Sequence, residues 1–260
     1  MEGAAPLLWA DLPGARCAFT TRAGGVSGAP YGSLNLGLHV GDDAEAVVEN
    51  RRRAVAALGA GLDDLVVAEQ VHGDRVALVG AAERGRGARS TADAIPAADA
   101  LICAEPGPVL AIMIADCVPV AVVDPVAGAI GVAHAGWGGT VAHVARRTVE
   151  ALRDRLGADP ARMRAVVGPS IGPDSYEVSA DVADLAHAAY PDVEIVAPRA
   201  APGKFLLDLW AANVADLAAA GIPPANVAVT GADTLTDDRF FSHRRGAPTG
   251  RFAILATLAR

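Results

Sequence analysis

Val109-Leu110-Ala111-Ile112-Met113-Ile114-Ala115-Asp116-Cys117-Val118-Pro119-Val120-Ala121-Val122-Val123 is the stretch that decides how this chain folds. It holds two short apolar runs, 109–114 and 119–123, parted by an acid, a thiol and a proline. Unbroken runs this short, rich in Val and Ile, suit strands buried on both faces, because a buried helix needs about ten residues or more. Similar runs recur at 17–21, 65–71, 75–79, 129–134, 164–167, 226–230 and 252–258, each bounded by Gly, Pro or Asp. Helical periodicity marks 43–58, with Asp42 or Asp43 to cap it and Gly59 and Gly61 to stop it, and 140–156, which follows Gly138-Gly139 and ends at Gly157. Two further helices fall at 179–189 and 209–220. Strands and helices are interspersed without strict alternation. The pattern therefore predicts an α/β fold of the α+β type, mixed β-sheets covered by helices, rather than a doubly wound parallel sheet. Residues 81–98, dense in Gly, Arg, Ala and Ser, read as a mobile surface loop.

A chain of 260 residues fits one large domain, taken here as 1–260. Hydrophobic residues make up 52% and aromatics 4%, so the core must be built from Ala, Val, Leu and Ile. The net charge of −8 removes the broad positive field that non-specific nucleic-acid or anionic-membrane binding needs, so neither partner is expected. No apolar run reaches a membrane span, and residues 1–10 lack the basic start of a secretion signal, which points to the cytoplasm. Cys17, Cys103 and Cys117 cannot form a paired disulfide framework and stay available as thiols or ligands.

Three strand ends carry chemistry. Glu69-Gln70-Val71-His72-Gly73 ends an apolar run on an imidazole beside a glycine, although a lone histidine there would equally serve structure. Ala115-Asp116-Cys117 breaks a buried run with two polar groups that need partners; a small buried cysteine beside a turn aspartate is the bland alternative. Gly131-Val132-Ala133-His134-Ala135-Gly136-Trp137-Gly138-Gly139-Thr140 delivers a second histidine into a glycine-rich turn before a helix, with Trp137 as core in the bland reading. Two His and one Cys form a catalytic zinc set with one position left open, whereas a structural zinc site closes with a fourth His or Cys. A fourth cluster, 237–245 followed by Thr249-Gly250-Arg251, gathers four arginines and His243; guanidinium forks suit phosphate, and a solvated edge is the alternative.

Phe19-Thr20-Thr21-Arg22 with Gly24-Gly25-Val26-Ser27, Ser33-Leu34-Asn35-Leu36-Gly37, Asn50-Arg51, Gln70-Val71-His72, Ala115-Asp116-Cys117, His134-Ala135-Gly136-Trp137 and Phe240-Phe241-Ser242-His243-Arg244-Arg245 together resemble the laccase-domain, or polyphenol oxidase, family over nearly the whole chain. The resemblance implies a single-domain layered sandwich and a mononuclear metal site on His72, Cys117 and His134. It also implies a purine nucleoside phosphorylase acting on adenosine, inosine and methylthioadenosine, with adenosine deaminase activity alongside. Zinc is the expected metal, with copper possible in its place. Two departures stand out: Gly138 occupies a position that is often Arg in the family, and Asp233-Thr234 stands where Cys-Thr is common.

On this reading Asp116 joins the three ligands as a catalytic residue, orienting a ligand or stabilising a sugar cation. Arg51, Arg244 and Arg245 are the expected phosphate-holding groups, and Gln70 and Asn35 would read base or ribose. Partners are then a small-molecule nucleoside and phosphate, with the protein a monomer or small homo-oligomer. A copper-dependent polyphenol oxidase is the competing class, but six histidines in all are few for a multicopper cluster, and His143 and His187 fall in helical stretches expected at the surface. A third reading makes Cys117 a nucleophile with His134 as its base, without metal. A non-catalytic binding module would leave the convergence of the three ligands unexplained.

Overall fold

A computed structural model describes residues 5–259, so the first positions of the 1–10 start and the last residue of the expected 1–260 domain lie outside the described residues. Two sheets stack face to face. The first contains β1 (Leu7–Ala10), β2 (Ala15–Thr20), β3 (Leu65–Val67), β6 (Val109–Ile114) and β14 (Phe252–Leu258), in the order β1-β2-β14-β6-β3. The second contains β4 (Val76–Leu78), β5 (Ala100–Cys103), β7 (Val118–Asp124), β8 (Ala129–Ala135), β9 (Arg164–Val167) and β13 (Val227–Val229), in the order β13-β9-β7-β8-β5-β4. Both are mixed: β3 runs parallel to β6, β4 to β5 and β13 to β9, while the remaining neighbours are antiparallel. A small antiparallel sheet of β10 (Glu177–Ser179), β12 (Lys204–Leu207) and β11 (Val196–Pro198) lies apart from these two.

Alternation along the strands explains the layers. On β6, Leu110, Ile112 and Ile114 face the core between the sheets with Phe19, Val132 and Ile254, while Val109, Ala111 and Met113 face α1 (Ala44–Ala57) through Ala54 and Val55. On β7, Ala121 and Val123 join the inter-sheet core, whereas Val118, Val120 and Val122 meet α3 (Val144–Leu156) and α5 (Leu209–Ala219). Both faces of each central strand are thus buried, which is why these runs are unbroken in the sequence. Each such Ile or Leu withdrawn from water stabilises the fold by roughly 1.5–3 kcal/mol.

The helix expected over 140–156 is two helices. α2 (Trp137–Val141) starts early, the chain turns at His143 with φ 61°, and α3 follows. Two glycines make α2 a weak helix, and His143 is pinned outward by Asp216 on α5, its Nδ1 lying 2.8 Å from Oδ1. His143 is therefore half-buried rather than a plain surface residue, while His187 on α4 (Ala180–Ala189) is exposed. Trp137 is 39% exposed and does not fill the core. The loop 81–98 also departs from expectation: it is tied to β3 by Val67 N–H to Arg86 O, Gly85 N–H to Leu65 O and Ile95 N–H to Val67 O, and it buries Ala88, Ile95 and Ala98. Among the described residues no helix is long and apolar enough to cross a membrane.

Candidate metal centre

His134 sits on β8 in phase with Ile130 and Val132, so its side chain points between the two sheets at their end. Register places Pro119 of β7 opposite it, and Cys117 is the residue just before β7. His72 arrives from the turn after β3, with its own backbone at φ 61°. The ligand atoms of His72, Cys117 and His134 all lie within 4.8 Å of one another, and the two imidazole rings meet edge-on with centroids 4.7 Å apart. Zinc bonds of about 2.0–2.3 Å would draw these atoms closer together, a movement that the exposed His72 side chain leaves room for. The donor set fits a borderline-soft divalent metal.

Space for the cluster comes from Gly136. A Cβ there would stand 2.9 Å from Cys117 Sγ and 3.2 Å from His72 Cδ2. The Gly in His134-Ala135-Gly136 is therefore a steric requirement of the site, since its φ of −68° is open to any residue.

Asp99, which the sequence reading did not single out, organises the cluster. It is fully buried at the head of β5, and its carboxylate accepts from the N–H groups of Val71 (3.1 Å), His72 (2.9 Å) and Gly73 (2.8 Å). Its Oδ1 also lies 2.8 Å from His134 Nδ1, and its carbonyl accepts from His134 N–H at 2.7 Å. One residue thus holds the left-handed turn at His72 and fixes the ring of His134, leaving Nε2 for the cluster. Burial opposes the Asp99 charge, yet His134 and the Gly73 and Val71 amides outweigh it and hold the carboxyl below its ordinary range. Burial likewise pushes the Cys117 thiol up, but His134 and His72 reverse this and bring it down to about 6. His134 would be lowered by its burial; the Cys117 thiolate and Asp99 raise it to about 9. Each member of the pair thus favours the charged form of the other.

The cluster opens into a cavity of about 730 Å³, within the range of small-molecule sites. Asp116 lines it, with φ 84° at its backbone, and its two carboxylate oxygens accept from Thr234 Oγ1 and Arg244 N–H, each at 2.7 Å. Gln70 also lines it, while pairing both ways with the Met113 backbone at 2.9 and 2.8 Å. Arg244 lies over the Tyr176 ring at 5.1 Å and donates to Glu177 O at 2.8 Å. Arg51 lines it from α1 and is 3% exposed. Asn35 and Arg245 do not line the cavity. Asn35 is buried and joins Gly37, Asp42 and Arg251 backbone or side-chain groups, and Arg245 donates to the carbonyls of Leu235, Thr234 and Asp237. His243 and Arg251, both members of the arginine-rich cluster, line it as well, and so does His39, which no motif includes. Of the two departures, Asp233 caps a turn by accepting from Gly172 and Leu235 N–H and is not in the cavity, and Gly138 packs close to the His72 carbonyl.

The chain matches known proteins along almost its full length. Residues 16–259 match the family described as multi-copper polyphenol oxidoreductase laccase. A protein of Geobacillus stearothermophilus named purine nucleoside phosphorylase YlmD is 42% identical over 250 residues, covering 95% of this chain and 90% of that one. One named adenosine deaminase RL5, from an unknown prokaryotic organism, is 40% identical over 238 residues, covering 90% of each. The crystal structure of YlmD from Geobacillus stearothermophilus superposes with a TM-score of 0.94 at 38% identity, covering 100% of this chain and 98% of that one.

Proposed function

This chain belongs to the multi-copper polyphenol oxidoreductase laccase family, and from that premise we propose that it is a zinc-dependent purine nucleoside phosphorylase of the cytoplasm. Its substrates are adenosine, inosine and methylthioadenosine, with adenosine deamination as a side reaction. The observation that carries the reading is the His72, Cys117 and His134 cluster, three ligands with no fourth among the described residues, opening into a cavity of nucleoside size flanked by arginines. Relatives named for both activities support it.

His72, Cys117 and His134 would hold the ion, which supplies Lewis-acid chemistry when bound. Asp99 keeps the two imidazoles aimed at it. Gln70 uses one donor and one acceptor on Met113, which leaves one of each for a purine edge or ribose hydroxyl. Asp116, its oxygens steadied by Thr234 and Arg244, faces the cavity as a fixed negative charge that stabilises positive charge developing on the sugar. Arg244, braced on Tyr176, closes the cavity on that side.

A second reading rests on one further observation: Cys117, His134 and Asp99 form a cysteine, histidine and aspartate series, the arrangement of a nucleophilic cysteine hydrolase. Metal-stripped protein tests both. The phosphorylase reading requires purine release from inosine to need phosphate and to vanish on chelation; turnover that survives chelation and is lost on thiol alkylation supports the nucleophile instead.

A further inference from the structure

The cavity has a charged end that the metal ligands leave unused. Arg51 reaches it from α1, Arg251 from the residue before β14, and His39 from the segment before α1. Leu36 ties the two arginines together: its carbonyl accepts from Arg51 Nε at 2.8 Å, and its N–H donates to the Arg251 carbonyl at 2.9 Å. Arg51 Nη1 also donates to the carbonyls of Gly87 and Ala88, while Arg251 Nη1 donates to those of Thr249 and Gly250 at 3.0 Å each. Gly37 gives Arg251 its path, because a Cβ at that position would stand 2.8 Å from Arg251 Cγ.

Among the described residues, neither arginine forms an ion pair with a carboxylate; the side-chain partners of both are neutral carbonyls. Burial pushes Arg51 down to about 10 and lowers Arg251 too, and His39 is lowered by burial and then by the Arg251 and Arg51 charges. The two guanidinium groups therefore set one positive field, which disfavours the charged form of the His39 ring beside them, inside a chain whose net charge is −8. Cys117 and Asp116 favour the Arg251 charge through space without pairing with it, so guanidinium forks held in place by carbonyls still lack the oxyanion that matches them. Arg244 and Arg245 are less suited: the first is laid on Tyr176 and the second lies outside the cavity, its nitrogens on backbone carbonyls and the Asp238 carboxylate.

We infer that Arg51, Arg251 and His39 form the subsite for a phosphate-type oxyanion, either inorganic phosphate or the phosphate of a sugar phosphate, in the same cavity as the metal ligands. The inference rests on the phosphorylase reading for its role. In that reaction an oxygen of hydrogen phosphate bonds to the anomeric carbon as the bond from that carbon to the purine nitrogen breaks. The bonding pair leaves with the purine, which takes up the phosphate's proton, and nothing is oxidised or reduced.

The test is binding of inorganic phosphate, and separately of ribose 1-phosphate, to the full-length zinc-loaded protein by equilibrium dialysis, alongside steady-state kinetics. Arg251→Gln is expected to weaken binding by at least about tenfold, the scale of one lost charged hydrogen bond. Gly37→Ala, which changes no charge but obstructs Arg251, should weaken it in the same direction and keeps the test intact should Arg251→Gln not fold. Arg155→Gln, an equal charge change on the exposed face of α3, should leave affinity within about twofold, a margin of small free-energy meaning. Loss confined to ribose 1-phosphate identifies the sugar phosphate as the source, and loss for both probes identifies phosphate itself. Wild-type binding of neither probe, or binding equal to wild type in both Arg251→Gln and Gly37→Ala, overturns the subsite. Phosphate binding governed by Arg251 with no purine release keeps the subsite and removes the phosphorylase reading; purine release with an unchanged KM for phosphate in both variants does the reverse.

Discussion

Replacing Asp99 by Asn removes a charge without removing volume, and its consequences can be worked out contact by contact. The carboxylate accepts four hydrogen bonds, from three successive N–H groups and the His134 ring, at 2.8–3.1 Å. An amide keeps one acceptor oxygen and turns its NH2 toward groups that are themselves donors, so about two of these bonds are lost, each charge-assisted and worth about 1.5–3 kcal/mol. Some of this is recovered by relaxation of the 71–73 turn, leaving a destabilisation of about 2–4 kcal/mol, which for a chain of this size lowers Tm by roughly 5–12 °C. The larger effect falls on the metal. With the His134 ring free to rotate and the His72 turn loosened, zinc affinity should fall by about 10–100-fold, the range for losing a group that orients a ligand. Competition against a chromophoric chelator reads the affinity, and calorimetry of the metal-free protein reads the stability independently. Zinc binding within twofold of wild type in a folded Asp99→Asn protein would refute the reasoning, because the turn and the ring would then be held by something else.

Gly136→Ala should be tolerated by the backbone yet lower zinc affinity by roughly tenfold or more, since a clash at 2.9 Å displaces the Cys117 sulfur; chelator competition checks it. Zinc at a hundredfold excess over its Kd should stabilise wild type by about 2.7 kcal/mol and Cys117→Ala by much less, seen as the difference in Tm with and without chelator. Asp124 is fully buried, and although burial opposes its charge, amides of residues 159, 127 and 126 and Arg162 bring its carboxyl down from 3.8 to about 2. A folded pKa below the unfolded one means stability present above the unfolded value and lost as pH falls through the folded one. Asp124→Asn should thus be less stable by roughly 2 kcal/mol near neutrality, with the gap closing between about pH 4 and pH 2, as denaturant unfolding at several pH values would show.

Where the sequence announced structure, it did so through unbroken apolar runs. β6, β9 and β14 occupy the residues expected of them, because strands buried on both faces carry no polar residue until they end. The three-residue strands β10 and β11 are too short to show a period of two, and β1, though bounded by Pro6 and Asp11, has no β-branched residue. The break at His143 was hidden because it depends on Asp216, seventy-three positions away in the chain. At the site, His72, Cys117 and His134 were legible one by one, each ending an apolar run next to Gly or Pro. Their meeting was not, since it depends on the register that sets Pro119 against His134 and on how the turn after β3 closes over both. Asp99 looked like any acid in an alanine-rich stretch, and nothing local marks a carboxylate whose partners lie twenty-six to thirty-five residues away. Arg245 and Asn35 illustrate the opposite case: motif residues that lie outside the cavity and bond to the fold's own backbone.

The central claim is tested most directly by one preparation, purified without added metal, in which bound metals are measured by mass spectrometry and purine release from inosine is followed with and without phosphate. The account predicts near-stoichiometric zinc and phosphate-dependent release of free purine, both lost in His72→Ala and Cys117→Ala. Phenol oxidation that tracks bound copper, with no purine released by the metal-loaded protein, would contradict it.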